Sequence, residues 1–273
     1  MRRTHEGGDK LSEPALIVEA HDGVLTVTLN RPAKLNALNQ EIFQGLTEAV
    51  ARYAADPALR VFLLRATGRY FCAGADLVGG VPAPDTGGTS QVREWYRVAM
   101  GPGMQRLYDE IEAIEKPFVV AHHAPCVGGG LEISLSCDFR LAARGARYAF
   151  PEAKLGSIPA SGGVSRLTRL VGQQWAKWMI LANQPVDAQQ ALAIGLVQAV
   201  YEDEGFDEKV MDFCRGLAAQ APEMATMAKL TIELAAEASA GDARKIERLG
   251  QSVLQVGEEQ RAMLAAMQAK LRG

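Results

Sequence analysis

Pro125-Cys126-Val127-Gly128-Gly129-Gly130-Leu131-Glu132-Ile133-Ser134-Leu135 is followed, 20 positions after Glu132, by a second acid in Pro151-Glu152. Three consecutive glycines let a backbone turn tightly and approach a ligand with no Cβ in the way. The apolar residues Leu131, Ile133 and Leu135 behind them read as the start of a buried helix, whose first N–H groups have no intrahelical acceptor. Such donors stabilise negative charge, so a carbonyl oxygen turning into an enolate suits this place. Glu132 and Glu152 are then candidates to move protons beside it. Triple glycine is also common in plain turns, and a Glu early in a helix is favoured by the macrodipole alone. A carboxylate between Leu131 and Ile133 is harder to explain that way, because burial demands a partner or a raised pKa.

The rest of the chain bounds the setting. With 273 residues, 48% of them hydrophobic and 22% charged, it has the make-up of a globular protein with a sizeable core. A net charge of −3 with dispersed Lys and Arg gives no electrostatic reason to expect nucleic acid or an anionic membrane as partner. The cysteines Cys72, Cys126, Cys137 and Cys214 form no CxxC pair and read as reduced core thiols. The polar start of the chain reads as a disordered tail over residues 1–13, with no signal peptide, and no window has the length of a membrane span. The expected location is cytoplasmic.

Strand and helix signals alternate, an α/β pattern. Ala15 to Ala20 and Gly23 to Leu29 read as a hairpin turning at His21-Asp22-Gly23. Asn39 is placed to cap a helix with apolar positions Ile42, Phe43, Leu46, Ala49 and Val50, ending near Asp56-Pro57. The runs Val61 to Ala66, Phe118 to Ala121 and Phe139 to Ala142 suit strands covered on both faces. Val78 to Ser90 is too rich in Gly and Pro for regular structure and is expected to be a loop bordering the site; with the helix around Trp95, Tyr96 and Met100 it is expected to wall the acyl pocket. A core over residues 14–204 gives way to a helical C-terminal module over 205–273.

With these residues set out, the chain resembles the crotonase superfamily, the enoyl-CoA hydratase/isomerase proteins. The resemblance runs from about Ala15 to Gln260 and lies in ordered motifs: Asn30-Arg31-Pro32 with Asn36-Ala37-Leu38, then Phe71-Cys72-Ala73-Gly74-Ala75-Asp76-Leu77. Gly128 to Glu132 with Cys137-Asp138 comes next, then Pro151-Glu152, Leu155-Gly156, Pro159, Gly162-Gly163, Arg166-Leu167 and Gly195-Leu196-Val197. The resemblance implies a spiral of repeated ββα units and a helical C-terminal module used in forming a homotrimer or a hexamer of two trimers. It implies that Ala75 and Gly129 supply the backbone N–H groups of an oxyanion hole, and that Glu132 and Glu152 are the catalytic acids of a hydratase. It places Arg31, Lys34, Ala73, Asp76 and Leu77 where substrate and its CoA moiety bind. No metal and no cofactor beyond the CoA of an acyl-CoA thioester substrate is implied.

Two departures stand out: His122-His123-Ala124 occupies the place of the family's usual Asn-Gly pair, and Glu258 to Gly273 lacks its aromatic and Lys-Pro ending. The adjacent histidines lack a third ligand and read as packing or turn residues. An enoyl-CoA isomerase is the nearest rival activity, since double-bond migration passes through the same enolate, but both acids favour hydration. A non-catalytic acyl-CoA-binding or scaffolding member is the rival from another class. Serine-hydrolase chemistry is disfavoured because Pro159-Ala160-Ser161-Gly162-Gly163 lacks the first glycine of a nucleophile elbow. Asp138 reads as structural.

Overall fold

A computed structural model describes residues 14–78 and 103–272. The chain opens with strands β1 (Leu16–His21) and β2 (Val24–Leu29), antiparallel and joined through Asp22 and Gly23. Both turn residues have positive φ, 50° and 76°, the backbone that matches the twist of a two-residue hairpin and that Asp-Gly accepts readily. The Gly23 carbonyl accepts from the N–H groups of Arg60 and Val61, which starts β3 (Val61–Ala66) beside β2. Between them α1 (Gln40–Ala55) begins where Asn39 accepts a side-chain hydrogen bond from the Ile42 N–H, as its sequence predicts.

The main sheet adds β4 (Phe118–His122), β6 (Phe139–Ala143) and β9 (Ala199–Tyr201) in the order β1-β2-β3-β4-β6-β9, parallel after the first pair. Its middle strands are apolar on both faces because both are covered. Leu25, Val27, Phe62, Leu64 and Val120 face α1 and α2 (Met104–Ala113); Val24, Val61, Leu63, Val119 and Leu141 face Phe206, Val210 and Cys214 of α6 (Phe206–Ala218). Asp138 is structural, as its sequence context suggests: it accepts from the Phe118 N–H at 2.7 Å and from Lys229 Nζ at 3.1 Å.

A second sheet carries the chemistry. It contains β5 (Cys126–Val127), β7 (Arg147–Ala149) and β8 (Val186–Asp187), and isolated parallel bridges Cys72↔Cys126 and Leu38↔Ala75 extend it toward the start of α1. Helix α3 (Gly129–Leu135) leaves β5 directly and is buried at every position. Its close fit needs glycine: a Cβ on Gly130 would lie 2.5 Å from the Cβ of Cys72. After a short 3-10 helix (Pro151–Leu155), α4 (Gly163–Ala176) leads into α5 (Ala188–Ala193) and β9.

The expected C-terminal helices are present, with α7 (Pro222–Glu237), α8 (Ala240–Val256) and α9 (Glu258–Arg272) following α6. Although the composition changes at Gly205, α6 packs on the main sheet, and it is α7 to α9 that bury almost nothing, Gly250 alone being buried. Among the described residues no helix is long and apolar enough to cross a membrane. The expected disordered tail over residues 1–13 lies outside the described residues. So does the expected loop over Val78 to Ser90, apart from Val78, together with Trp95, Tyr96 and Met100.

Candidate active site

Two backbone turns meet at the end of the second sheet. In the first, Leu38 donates its N–H to Gly74 O at 2.8 Å and accepts from the Asp76 N–H at 2.9 Å. A parallel bridge of this kind uses the peptide groups flanking Ala75, so the Ala75 N–H itself points away from Leu38 and is left without an acceptor among the described residues. In the second, Gly128 adopts φ 54° and ψ −131°, a backbone open to glycine. That turn delivers Gly129 to the first position of α3, where its N–H has no intrahelical partner. The two free donors are neighbours: a Cβ on Gly129 would lie 3.7 Å from the Ala75 nitrogen, and one on Gly74 would lie 3.5 Å from the Gly129 nitrogen.

The carboxyls border the same turn. Glu132 sits one helical turn beyond Gly129, with Oε2 4.0 Å from where a Gly129 Cβ would lie; Glu152 Oε1 is 3.0 Å from the equivalent point on Gly128. Glu132 Oε1 accepts from the Ser161 N–H at 2.6 Å and the Gly163 N–H at 3.2 Å, which fixes the side chain with Oε2 on the side of Gly129. Gly163 must be glycine here, since a Cβ would lie 2.5 Å from Pro159 Cβ and 2.9 Å from Glu132 Oε1. Glu152 enters from the 3-10 helix, and its Oε2 is buried without a hydrogen-bond partner among the described residues. An unpartnered buried carboxylate oxygen is a costly feature that an acid-base role explains.

Burial pushes the Glu132 carboxyl up to about 7 from an ordinary 4.5; the two amides and the Arg166 charge oppose this, and Glu152 adds to it. Burial also raises Glu152 above the ordinary carboxylate range. Near neutral pH the pair therefore holds a proton that can be given or taken. A raised folded-state pKa means stability that is fully present below about 4.5 and is lost as pH rises through about 7. Glu132→Gln removes that loss. Its unfolding free energy, relative to wild type, is expected to increase by roughly 2–3 kcal/mol between about pH 5 and about pH 8, as read by urea unfolding of both proteins.

Of the residues singled out from sequence, Ala75, Gly129, Glu132 and Glu152 are brought together. Arg31 and Asp76 meet each other instead of open solvent: Arg31 Nη1 donates to Asp76 Oδ2 at 3.2 Å and to Ala37 O at 2.7 Å. They strap the Ala75 turn to the segment before α1. Ala73 is half-buried and donates its N–H to Leu35 O, whereas Lys34 and Leu77 are exposed at the edge of the turn. His122 is fully buried against Phe71 and Tyr148, with Nδ1 3.1 Å from the Tyr148 hydroxyl, and burial pushes it down to about 3. His123 Nε2 lies 2.7 Å from Gly68 O. Both are packing and turn groups, as expected.

Three supports were not legible in sequence as such: Asn36 and Arg166 stood out only as motif residues, and Tyr108 not at all. Asn36, fully buried at φ 54°, accepts from the Arg31 N–H and donates to Thr67 O and Tyr70 O, pinning the first turn from below. Tyr108, buried on α2, donates its hydroxyl to Gly129 O at 3.2 Å. Arg166 borders the Glu132 cradle. The signal for the last was present as Asp109 and Glu112, acids on one face of α2, but nothing local pairs them with a residue more than fifty positions away.

Residues 19–267 match the family described as enoyl-CoA hydratase/isomerase. The chain belongs to that family. It is 31% identical over 222 residues to the 2,3-dehydroadipyl-CoA hydratase of Escherichia coli (strain K12), covering 81% of this chain and 83% of that protein. It is 35% identical over 190 residues to the crotonyl-CoA hydratase of Syntrophomonas wolfei, covering 69% and 70%. Among solved structures, the enoyl-CoA hydratase of Bacillus anthracis superposes with a TM-score of 0.83 at 28% identity, over 94% of this chain and 96% of that one. The crotonase fold expected from the motifs is thus the fold of this chain.

Proposed function

We propose that this chain is an enoyl-CoA hydratase that adds water across the double bond of a 2-enoyl-CoA thioester. The observation that carries the reading is the placement of two carboxyls with raised pKa around two backbone N–H groups that have no acceptor among the described residues. The N–H groups of Ala75 and Gly129 polarise the thioester carbonyl and stabilise the enolate formed when the β-carbon is attacked. One carboxylate of the Glu132/Glu152 pair takes a proton from water as its oxygen bonds to Cβ. The other, protonated, delivers its proton to Cα as the enolate reverts to the thioester. The product is the 3-hydroxyacyl-CoA, one water heavier than the substrate, and proton transfer between the pair and solvent restores the starting state. No redox step occurs and no cofactor is consumed; coenzyme A enters and leaves as part of the substrate.

Hydratases are also what the named relatives are called. Lys34 at the rim suits a CoA phosphate, while Arg31 and Asp76 act on substrate through the turn they strap. A homotrimer or hexamer is supported by α7 to α9, whose apolar residues Ile232, Leu249, Val256 and Leu271 are each more than two-thirds exposed. Four free, buried cysteines support a reducing, cytoplasmic setting. Incubating the protein with crotonyl-CoA in water is expected to remove the enoyl-thioester ultraviolet absorbance rapidly. Persistence of the absorbance, with CoA-ester binding intact, would favour the isomerase or a non-catalytic acyl-CoA-binding member.

A further inference from the structure

On α2, Gln105, Tyr108, Asp109 and Glu112 recur at the i, i+3, i+4, i+7 spacing of one helix face. Each reaches one of the two segments that hold the reacting groups. Tyr108 bonds Gly129 O, and Gln105 Nε2 donates to Ala160 O. Asp109 Oδ1 and Glu112 Oε2 accept from Arg166 Nη2 at 2.6 Å and 2.7 Å, and Arg166 Nε adds a bond to Glu112 at 3.0 Å. Arg166 is buried, 8% exposed, while its two acids are 72% and 50% exposed. Its third arm, Nη1, donates to Ser161 O at 3.4 Å. The guanidinium lies so close over Gly162 that a Cβ there would meet Nη1 at 1.9 Å. A planar fork can hold two carboxylates and a carbonyl at once, which an ammonium cannot do in the same geometry.

What this fork grips is the turn whose Ser161 and Gly163 N–H groups hold Glu132 Oε1. We propose that Arg166, fastened by Asp109 and Glu112, is a positioning residue for the reaction: it fixes the 160–163 turn so that those amides keep Glu132 aimed at the oxyanion hole. The inference rests on the hydratase reading for the reaction that Glu132 serves, and on the contacts above for everything else. A purely structural strap between α2 and α4 would leave the chemistry of Glu132 untouched. The groups that face Glu132 are Glu152 from the 3-10 helix, Tyr108 from α2, Arg166 from α4 and the two amides, so removing Arg166 takes away the cation among them and loosens the amides together.

The test follows the Glu132 carboxyl carbon by NMR in protein labelled at glutamate, with its signal assigned by its loss in Glu132→Gln. In Arg166→Gln the titration midpoint of Glu132 is expected to rise by about half a unit or more, because both the cation and well-held donors favour the carboxylate. In the same variant kcat for crotonyl-CoA is expected to fall roughly 10- to 100-fold, the scale of a small misplacement, with KM nearly unchanged. Arg166→Lys keeps the charge but not the fork and is expected to fall between the two in both readouts; it gives the decisive reading if the Gln variant does not fold. A folded variant with an unshifted Glu132 midpoint and wild-type kcat would overturn the proposal. Wild-type protein that hydrates no enoyl-CoA would overturn the hydratase reading alone, and the titration would still decide the part played by Arg166.

Discussion

Glu132→Gln and Glu152→Gln are each expected to slow hydration of crotonyl-CoA by roughly 10²- to 10⁴-fold, the usual range for loss of a positioned general acid or base. The substitution at 132 is close to isosteric, and the new side-chain carbonyl can still accept from the Ser161 and Gly163 amides. The cradle therefore survives, substrate binding changes little, and the loss falls on kcat. At 152 the amide replaces a carboxyl whose buried Oε2 has no partner among the described residues, so that variant too lacks the group while leaving the surrounding bonds intact. Because the two acids act on one water, the double variant is expected to be little slower than the worse single variant. Stopped-flow absorbance at saturating substrate measures all three. Turnover within a factor of two of wild type in both single variants would remove the glutamates from the mechanism.

The second large effect concerns a backbone atom. Gly129→Pro is expected to lower kcat by roughly 10²- to 10³-fold, the cost of losing one oxyanion-hole donor. Proline is well tolerated at the first position of a helix, where its missing N–H has no intrahelical acceptor to lose. Gly129 is at that position, and a Cβ there has ordinary contacts, 3.4 Å to Leu38 Cδ1 and 3.7 Å to the Ala75 nitrogen. The substitution thus removes the donor and puts the ring Cδ where its hydrogen was, while the fold is expected to persist. Circular dichroism and thermal unfolding monitor the fold. Wild-type turnover in a folded Gly129→Pro protein would mean that the thioester oxygen sits elsewhere.

Much of this architecture was legible because local chemistry determines it. Asp22-Gly23 can only be a tight turn between two β-rich runs, and Asn39 ahead of an apolar 3.6-residue pattern is a cap. The uninterrupted apolar run from Val61 announced a strand covered on both faces, and both faces are covered. A glutamate between Leu131 and Ile133 pointed to a buried carboxyl needing a partner or a raised pKa, and Glu132 has both. The family motifs located Ala75, but not why its N–H has no acceptor among the described residues; that follows from the bridge to Leu38, a pairing across 37 positions that no local pattern encodes. The strap between Arg31 and Asp76 and the fork of Arg166 are likewise long-range pairings of ordinary charged residues. In sequence, each looks like a solvated side chain. The change of composition at Gly205 was visible, yet α6 still belongs to the core, since its amphipathic pattern does not say which surface its apolar side meets.

Hydration and double-bond migration share the enolate, the oxyanion hole and a carboxylate, and they differ in whether water is added. The decisive measurement is mass spectrometry of the product formed from crotonyl-CoA in water enriched in oxygen-18. Hydration yields a 3-hydroxyacyl-CoA heavier than substrate by one molecule of labelled water, with the heavy oxygen on Cβ and its rate of formation roughly 10²- to 10⁴-fold lower in Glu152→Gln. Product of unchanged mass, or heavy water incorporated equally well without either glutamate, would contradict it.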